Sequence, residues 1–251
     1  MEKKQNSFQK FMAIPGMASV VTAFVGVVVL MIIFTIMNPN FIGRANLMPL
    51  SRSICPYLLV GIGHGIVYIT GNIDLSIGSV LGMSAMISAT LICNGVNPIL
   101  AVIIEIIACL AVGIVNGVLV GKFKLPPFIG TLGTMTICRG IAQIVNGNYN
   151  TGDIGTAPLA QGLRDLFYYG RIGVIYYGVI ITLIVWFIFN YIMNYTRTGR
   201  HIYAIGSNVD AARLSGVDVF KTTTVAYLIS AFCSCVAGLV TMAAAGMGSM
   251  Q

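Results

Sequence analysis

A stretch of glycine and polar residues interrupts the apolar sequence of this chain and holds groups able to bind a ligand. It reads Gly71-Asn72-Ile73-Asp74-Leu75-Ser76-Ile77-Gly78, between runs that carry no Asp, Glu, Lys or Arg. A carboxylate within a membrane costs about 2.5–3.5 kcal/mol on insertion scales, and Gly and Asn readily leave helical geometry. Because irregular backbone at membrane depth must be buried in protein or line a water-filled path, we predict a broken membrane segment on a transport route.

A second group of polar residues lies in the apolar segment from Phe128 to Val145 and could form the opposite wall of that route. Together, the candidate pathway residues of the two segments are Asn72, Asp74, Ser76, Thr131, Thr134 and Arg139. Their hydroxyl, amide and charged groups suit a hydroxyl-rich ligand. Alternatively, Asp74 and Arg139 neutralise each other and only hold the broken helices together, with Glu105 as a second candidate partner for Arg139.

The composition is that of a membrane protein. Of the 251 residues, 57% are hydrophobic and only 8% are charged, whereas soluble domains have about 25% charged residues. The net charge of +7 could suggest nucleic-acid binding. However, the basic residues lie in short stretches between apolar segments, which is the pattern of positive-inside loops.

The hydropathy pattern predicts an all-α polytopic bundle of about seven membrane segments, some of them broken or short. A spanning helix needs about 20 apolar residues, so the third segment, at 16 residues, is short for a full crossing. The long loop after the fifth segment is expected to contain a short helix from Pro158 to Phe167. The predicted segments are Ile14–Met37, Leu47–Thr70, Ile77–Ile92, Ile99–Gly121, Phe128–Val145, Gly173–Tyr195 and Thr222–Ser249.

The distribution of basic residues predicts the orientation of the chain. With a cytoplasmic N-terminus, nine of the 14 Lys and Arg residues fall in cytoplasmic stretches and four fall outside, while Arg139 lies within a segment. Three of the nine are Lys3, Lys4 and Lys10. An excess of basic residues in cytoplasmic loops is the usual arrangement, so we expect a multi-pass protein of the cell (inner) membrane.

The six cysteines predict neither a disulfide framework nor a metal site. All lie in or beside apolar segments, and Cys233 and Cys235 lack the further His or Cys ligands of a zinc site. They are expected to pack as small hydrophobic residues. No metal or cofactor is therefore predicted.

The polar loop between the last two segments contains a candidate capped helix from Ser207 to Gly216. Ser207 or Asn208 can cap its N-terminus, Asp210 suits the positive end of the helix, and Gly216 can end it. Either this helix lies on the inner membrane surface, or it docks into a cytoplasmic partner.

Several motifs together identify a family resemblance. Asp210-Ala211-Ala212-x-x-x-Gly216 resembles the cytoplasmic loop motif of permease subunits of ATP-binding-cassette importers, with Asp in place of the usual Glu. Gly71 to Gly78 resembles the Gly-Gly-Ile-Asp-Leu-Ser-Val-Gly signature of ribose-type sugar permeases, with Asn72 and Ile77 as departures. Asn116-Gly117 and the stretch from Pro126 to Gly133 are similar to the same family's junction between the fourth and fifth spans.

The resemblance implies a transmembrane pore subunit of a binding-protein-dependent sugar importer. Such a subunit would pair with a second permease subunit, two cytoplasmic ATP-binding subunits and an external sugar-binding protein. Residues 1–251 would form one permease domain, C-terminally truncated relative to the family. The residues that the resemblance assigns to coupling with the ATPase are Asp210, Ala211, Ala212, Arg213, Leu214 and Gly216.

Two other classes of function fit the sequence less well than the importer subunit does. A proton-coupled secondary transporter could relay protons through Asp74, Glu105 and His64, and discontinuous helices occur in that class too. Such a carrier does not need the loop motif from Asp210 to Gly216. An intramembrane enzyme is disfavoured because no His-Glu-x-x-His or Gly-x-Ser-x-Gly motif is present, and ATP hydrolysis must reside in a partner because no G-x-x-x-x-G-K-[ST] loop occurs.

Overall fold

The computed structural model of the chain describes residues 16–155 and 158–249. The basic residues Lys3, Lys4 and Lys10 that contribute to the predicted orientation lie outside the described residues. The chain consists of two compact units, residues 1–50 and 51–251.

The first unit contains one long apolar helix, α1 (Met17–Met37). It begins after Gly16, whose φ is +82°, and Asn38 is the cap residue that follows its last residue. The Asn38 side chain accepts a hydrogen bond from the Asn40 N–H and so starts a 3₁₀ turn at Pro39–Ile42. The helix ends at Met37, as the sequence predicted, and the Asn-Pro pair after it explains this end.

The second unit is built from helices. Helix α2 begins in the first unit, at Arg44, and ends in the second. The helices from α2 onward are α2 (Arg44–Ser53), α3 (Cys55–Ile69), α4 (Ile77–Cys93), α5 (Pro98–Gly117), α6 (Pro127–Val145), α7 (Pro158–Arg164), α8 (Tyr177–Tyr195), α9 (Arg197–Ser207), α10 (Val209–Leu214) and α11 (Val219–Ala245). Helices α5 and α7 continue as single π-helical turns at Val118–Lys122 and Asp165–Tyr169. The all-α prediction is confirmed, since the only strands among the described residues are two of two residues each.

Six helical stretches in the described residues are long and apolar enough to cross a membrane. They are Met17–Met37, Arg44–Ile69, Pro98–Lys122, Pro127–Val145, Tyr177–Tyr195 and Val219–Ala245. Helix α4 is apolar but has only 17 residues, a length of about 26 Å. The structure therefore contains the six longer predicted segments and the short one between them.

Helix α11 is the centre of the second unit, where it packs against α3, α4 and α5. Glycines on the neighbouring helices permit this packing. A Cβ atom on Gly63 would lie 2.9 Å from the Cys233 Cβ, and one on Gly117 would lie 2.6 Å from the Thr224 Cα. Because only hydrogen atoms fit in these spaces, the helix backbones approach closely, as is usual where small residues lie at a helix contact in a membrane protein.

The loop between α6 and α8 is tied to the C-terminal end of α11. The Thr151 N–H donates to the Gly248 carbonyl at 3.0 Å, and the Ile154 N–H donates to the Gly246 carbonyl at 2.9 Å. The short helix predicted in this loop is present as α7 and its π-helical turn. The predicted start of the next segment at Gly173 was wrong, because Arg171–Ile172 pairs with Ile175–Tyr176 as a hairpin and α8 begins only at Tyr177.

Candidate functional site

The chain leaves helical geometry between α3 and α4, as predicted. The last turn of α3 closes with hydrogen bonds from Thr70 and Gly71 to carbonyls of that turn. Gly71 has a φ of +78°, a conformation that suits glycine. Residues 70–76 then form an irregular connection, which we call the broken segment, and α4 begins at Ile77.

The Asp74 carboxylate in the broken segment is buried and accepts three hydrogen bonds. Its Oδ1 accepts from the Ser76 N–H at 3.0 Å and from the Ser76 hydroxyl at 2.6 Å. Its Oδ2 accepts from the Ser230 hydroxyl of α11 at 2.7 Å. Only 3% of Asp74 is exposed, so serine donors stabilise this carboxylate where the sequence suggested an arginine.

The ion pair predicted between Asp74 and Arg139 is absent. Arg139 is exposed on α6, and within the described part of the chain no carboxylate lies within 4 Å of its guanidinium. Its second candidate partner, Glu105, is fully buried and accepts hydrogen bonds from the Ser84 hydroxyl and from the Cys235 thiol, the latter at 3.4 Å. Asp74 and Glu105 are buried inside the helix bundle, whereas Arg139 is exposed on its outer surface, so neither carboxylate can pair with the guanidinium.

The hydrogen bonds of Asp74 continue through Ser76 into two further helices. The Asn116 side chain of α5 donates to the Ser76 hydroxyl at 2.9 Å, and the Thr134 hydroxyl of α6 donates to the Asn116 carbonyl oxygen at 2.7 Å. The Thr131 hydroxyl accepts from the Leu75 N–H at 3.1 Å. All these side chains are buried, so they hold the broken segment in place.

Two residues of this network could not be identified as functional from the sequence. Ser230 and Tyr227 lie in an uncharged span, where nothing distinguishes them from packing residues. Tyr227 donates its hydroxyl to the Ile73 carbonyl at 3.1 Å. Asn116 was noted only within a family motif, although it is the one side-chain amide in α5, and that isolation was a usable signal.

We call the polar connection between α8 and α11, which contains the residues predicted to couple to the ATPase, the coupling loop. The broken segment and the coupling loop border one cavity of about 910 Å³. Asn72 lines it from the broken segment, Lys124 from the end of α5, and Asp210 and Arg213 from α10. Of the six candidate pathway residues, Asn72 faces this open space. Asp74, Ser76, Thr131 and Thr134 are buried in the network, and Arg139 lies apart on the outer face of α6.

The predicted capped helix in the coupling loop is present as α10. The Asn208 side chain accepts from the Ala211 N–H at 2.9 Å, Asp210 lies in the first turn, and Gly216 has a φ of +83°. Arg213 forms an ion pair with Asp210 at 3.6 Å.

Exposure along α10 separates one residue from the others. Leu214 is 90% exposed, whereas Ala212 is 4% exposed. Ala212 therefore packs against the rest of the chain, and its assignment to coupling stays a prediction. The other five residues assigned to coupling, Asp210, Ala211, Arg213, Leu214 and Gly216, are exposed.

Helix α9, which precedes α10 in the coupling loop, was not predicted. It brings the coupling loop into contact with the end of α3, next to the broken segment. A Cβ atom on Gly206, near the end of α9, would collide with the Ile69 carbonyl oxygen at the end of α3. The backbone of the loop therefore touches the point where α3 ends. The polar composition of Arg197–Ser207 concealed this helix, and its Thr196 cap, which accepts from the Gly199 N–H at 3.4 Å, is the local signal for its start.

Comparison with known proteins agrees with these features. Residues 46–251 match the family described as branched-chain amino acid transport system / permease component. The chain is 34% identical to the ribose import permease protein RbsC of Bacillus subtilis over 233 residues, which cover 92% of this chain and 71% of that protein. It is 31% identical to the D-allose transport system permease protein AlsC of Escherichia coli over 249 residues, 98% and 72% of the two chains.

A third relative is the fructose import permease protein FruF of Bifidobacterium longum, which is 31% identical over 243 residues, or 93% of this chain and 67% of that protein. No solved structure matches the chain. The family match covers most of the chain, including the broken segment and the coupling loop. The chain therefore belongs to the family of transport-system permease components, and it is a multi-pass membrane protein of that family.

Proposed function

We propose that this permease component is the pore subunit of an ATP-driven, binding-protein-dependent importer of a sugar, either a ribose-like pentose or a hexose. The relatives named for ribose, allose and fructose support the sugar class. The observation that carries the coupling to ATP is the shared cavity, which α10 and the broken segment both border. Next to this cavity, Gly206 at the end of α9 touches Ile69 at the end of α3.

The proposed partners follow from this role. Cytoplasmic ATP-binding subunits hydrolyse ATP and bind α10, a second permease subunit completes the pore, and an extracytoplasmic protein delivers the sugar. Residues 1–251 act as a single permease domain in the cell (inner) membrane, with the N-terminus in the cytoplasm. The buried network around Asp74 fixes the broken segment, and Asn72 meets substrate where the segment borders the cavity.

A transport assay tests this function against the proton-coupled alternative. The full-length protein, its ATPase and its binding protein are reconstituted in vesicles, and uptake of labelled ribose, allose and fructose is measured. We expect uptake of one sugar to require ATP and to persist when the proton gradient is collapsed. Uptake that continues without ATP but stops on collapse of the gradient would contradict the proposal. The comparisons do not favour that alternative, and Glu105 and Asp74 bond within separate networks.

The proposed orientation predicts which side of the membrane each loop occupies. In a cysteine-free background, Tyr149→Cys in the loop after α6 should react with a membrane-impermeant thiol reagent added to intact cells, and Leu214→Cys in α10 should not. Both positions are strongly exposed, 76% and 90%, so accessibility within the fold is matched. Reaction at Leu214→Cys in intact cells, with none at Tyr149→Cys, would reverse the orientation.

The exposed end of α10 predicts a contact with the ATPase. Leu214→Asp removes an apolar side chain that the rest of the chain leaves uncovered, and it should weaken co-purification of the ATPase about tenfold, the effect of losing an anchor of about 1.4 kcal/mol. Ser215→Asp is the matched control, because it adds the same charge at the next exposed position without removing apolar surface. Equal ATPase binding by both variants would mean that α10 is only a surface helix.

A further inference from the structure

Helix α6 carries polar side chains on two opposite faces. One face is buried and includes Thr131, Thr134 and Cys138. Thr136, Arg139 and Gln143 lie on the other face, where all three are exposed. Their spacing of three and four residues places them above one another along the helix. We call these three residues, together with Gly133 one turn before Thr136 and Gly140 next to Arg139, the polar stripe of α6.

The position of the polar stripe along α6 conflicts with exposure to lipid. Arg139 lies 12 residues after Pro127 and six before Val145, or about 18 Å and about 9 Å from the two ends at the rise of an α-helix. A guanidinium in hydrocarbon is costly unless water or a polar partner solvates it. Among the described residues no hydrogen bond or ion pair satisfies Arg139, which is exposed.

The outward faces of two other spans, α5 and α8, differ from this arrangement. The acidic residue of α5, Glu105, is buried, while exposed positions of that helix such as Ile103, Ile107 and Ile114 are apolar. Exposed positions of α8 include Phe187 and Ile188. These faces suit lipid, so the polar stripe marks a different environment and not a general polarity of the surface.

Open space accompanies the polar stripe. A Cβ atom added to Gly133 or to Gly140 would meet no atom within 4 Å, so these glycines do not serve packing within the chain. Thr136 donates its hydroxyl to the Leu132 carbonyl at 3.0 Å and retains its acceptor sites. With the five donors of Arg139 and the amide of Gln143, the polar stripe offers both donors and acceptors to a hydroxyl-rich molecule.

We propose that the polar stripe lines the water-filled translocation path, facing the second permease subunit across it, and that Arg139 and Gln143 bind hydroxyl groups of the passing substrate. The substrate class rests on the proposed function. The path therefore follows the exposed face of α6, and the buried face with Thr131 and Thr134 supports the broken segment from behind.

Reactivity of single cysteines tests the location of the path. In a cysteine-free form of the full-length protein, assembled with its partners in membranes, Thr136→Cys, Gly140→Cys and Gln143→Cys are treated with a charged methanethiosulfonate reagent. Because a thiolate forms in water and not in lipid, these three should react at least about tenfold faster than Ile137→Cys on the adjacent face of α6. Ile103→Cys in α5 is a second control. Ile103 lies five residues from Pro98, the first residue of α5, just as Gly140 lies five residues from Val145, the last residue of α6.

Each outcome of this labelling decides the proposal. Slow reaction at all the positions would place the polar stripe in lipid and overturn it. Reaction at Gln143→Cys alone would mean that Arg139 reaches the headgroups from a lipid-facing helix, which also overturns it. Fast reaction at Thr136, Gly140 and Gln143, reduced when sugar is added under turnover conditions, supports it.

A transport measurement separates this proposal from the proposed function. Arg139→Gln should lower the maximal rate of uptake roughly tenfold by removing charge-assisted hydrogen bonds, while Arg139→Lys should restore part of it and both variants should accumulate normally. If the polar stripe reacts in water but no sugar is transported, the sugar class fails and the path stands. If sugar is transported at a normal rate by Arg139→Gln and the polar stripe does not react, the path fails and the sugar class stands.

Discussion

ATP-driven uptake is expected to fall roughly 5- to 150-fold in Gly206→Val, the range of a coupling free energy of about 1–3 kcal/mol. An added side chain at this position collides with the Ile69 carbonyl oxygen, so α9 must move away from the end of α3. The coupling loop then loses its backbone contact with Ile69, the residue just before the broken segment. We expect the ATPase still to bind, because the exposed side of α10 is unchanged, and ATP hydrolysis to continue without import.

The control for this variant is the same substitution at Gly65 in α3, where an added Cβ atom would meet no atom within 4 Å. Both proteins should accumulate in membranes to a similar level. Uptake and hydrolysis are measured in the same vesicles, so that the number of sugars imported per ATP is obtained. An unchanged ratio in Gly206→Val would show that the contact with Ile69 does not transmit the motion.

Asp74→Ala is expected to lower both the folded fraction and the uptake more than any other change in the buried network. It leaves the Ser76 N–H and the hydroxyls of Ser76 and Ser230 without their acceptor, and each buried unpaired group costs about 1–3 kcal/mol. Asp74→Asn should be milder in stability, because its amide oxygen still accepts from Ser76 and its amide nitrogen donates to the Ser230 oxygen. Its uptake should nevertheless fall, since hydrogen bonds to a charged acceptor are about twice as strong.

The measurement is unfolding in denaturing detergent together with uptake per inserted molecule. Ser230→Ala should reproduce part of the Asp74→Ala loss, and the two changes should be non-additive. Ser234→Ala is the matched control, because Ser234 is equally buried one turn further along α11 and donates only to its own helix, to the Ser230 carbonyl. Full stability in Asp74→Ala would show that the network does not hold the broken segment.

Hydropathy and local turn chemistry predicted most of the fold. Uncharged runs of about 20 residues located the spans, Gly71 located the break after α3, and Asn208 with Gly216 located α10. These features depend on residues close to one another in the sequence. Local patterns of this kind survive in the folded chain because each helix must satisfy its own backbone hydrogen bonds in a membrane.

The partners within the site could not be predicted in the same way. A buried carboxylate suggested a cationic partner, but Asp74 uses Ser230, and a serine in an uncharged span carries no signal of such a role. The periodicity of α6 separates Thr134 from Arg139 onto different faces. Which face is buried depends on the helices that pack against it, and the sequence of α6 alone does not show this. For that reason the predicted pathway residues of α6 include both buried side chains, Thr131 and Thr134, and the exposed Arg139. The same limit applies to Ala211 and Ala212, which have the same side chain and opposite exposure.

The distance along the chain between Asp74 and Ser230 has a consequence for biosynthesis. The two residues are 156 positions apart, so at about 5–20 residues per second the ribosome needs roughly 8–30 s to make Ser230 after Asp74. During that interval the carboxylate has only Ser76 as its nearby donor, through the backbone N–H and the hydroxyl. The Asp-x-Ser spacing therefore gives the carboxylate two hydrogen bonds in the nascent protein before α11 is made. The insertion of α11 then adds the third, from Ser230.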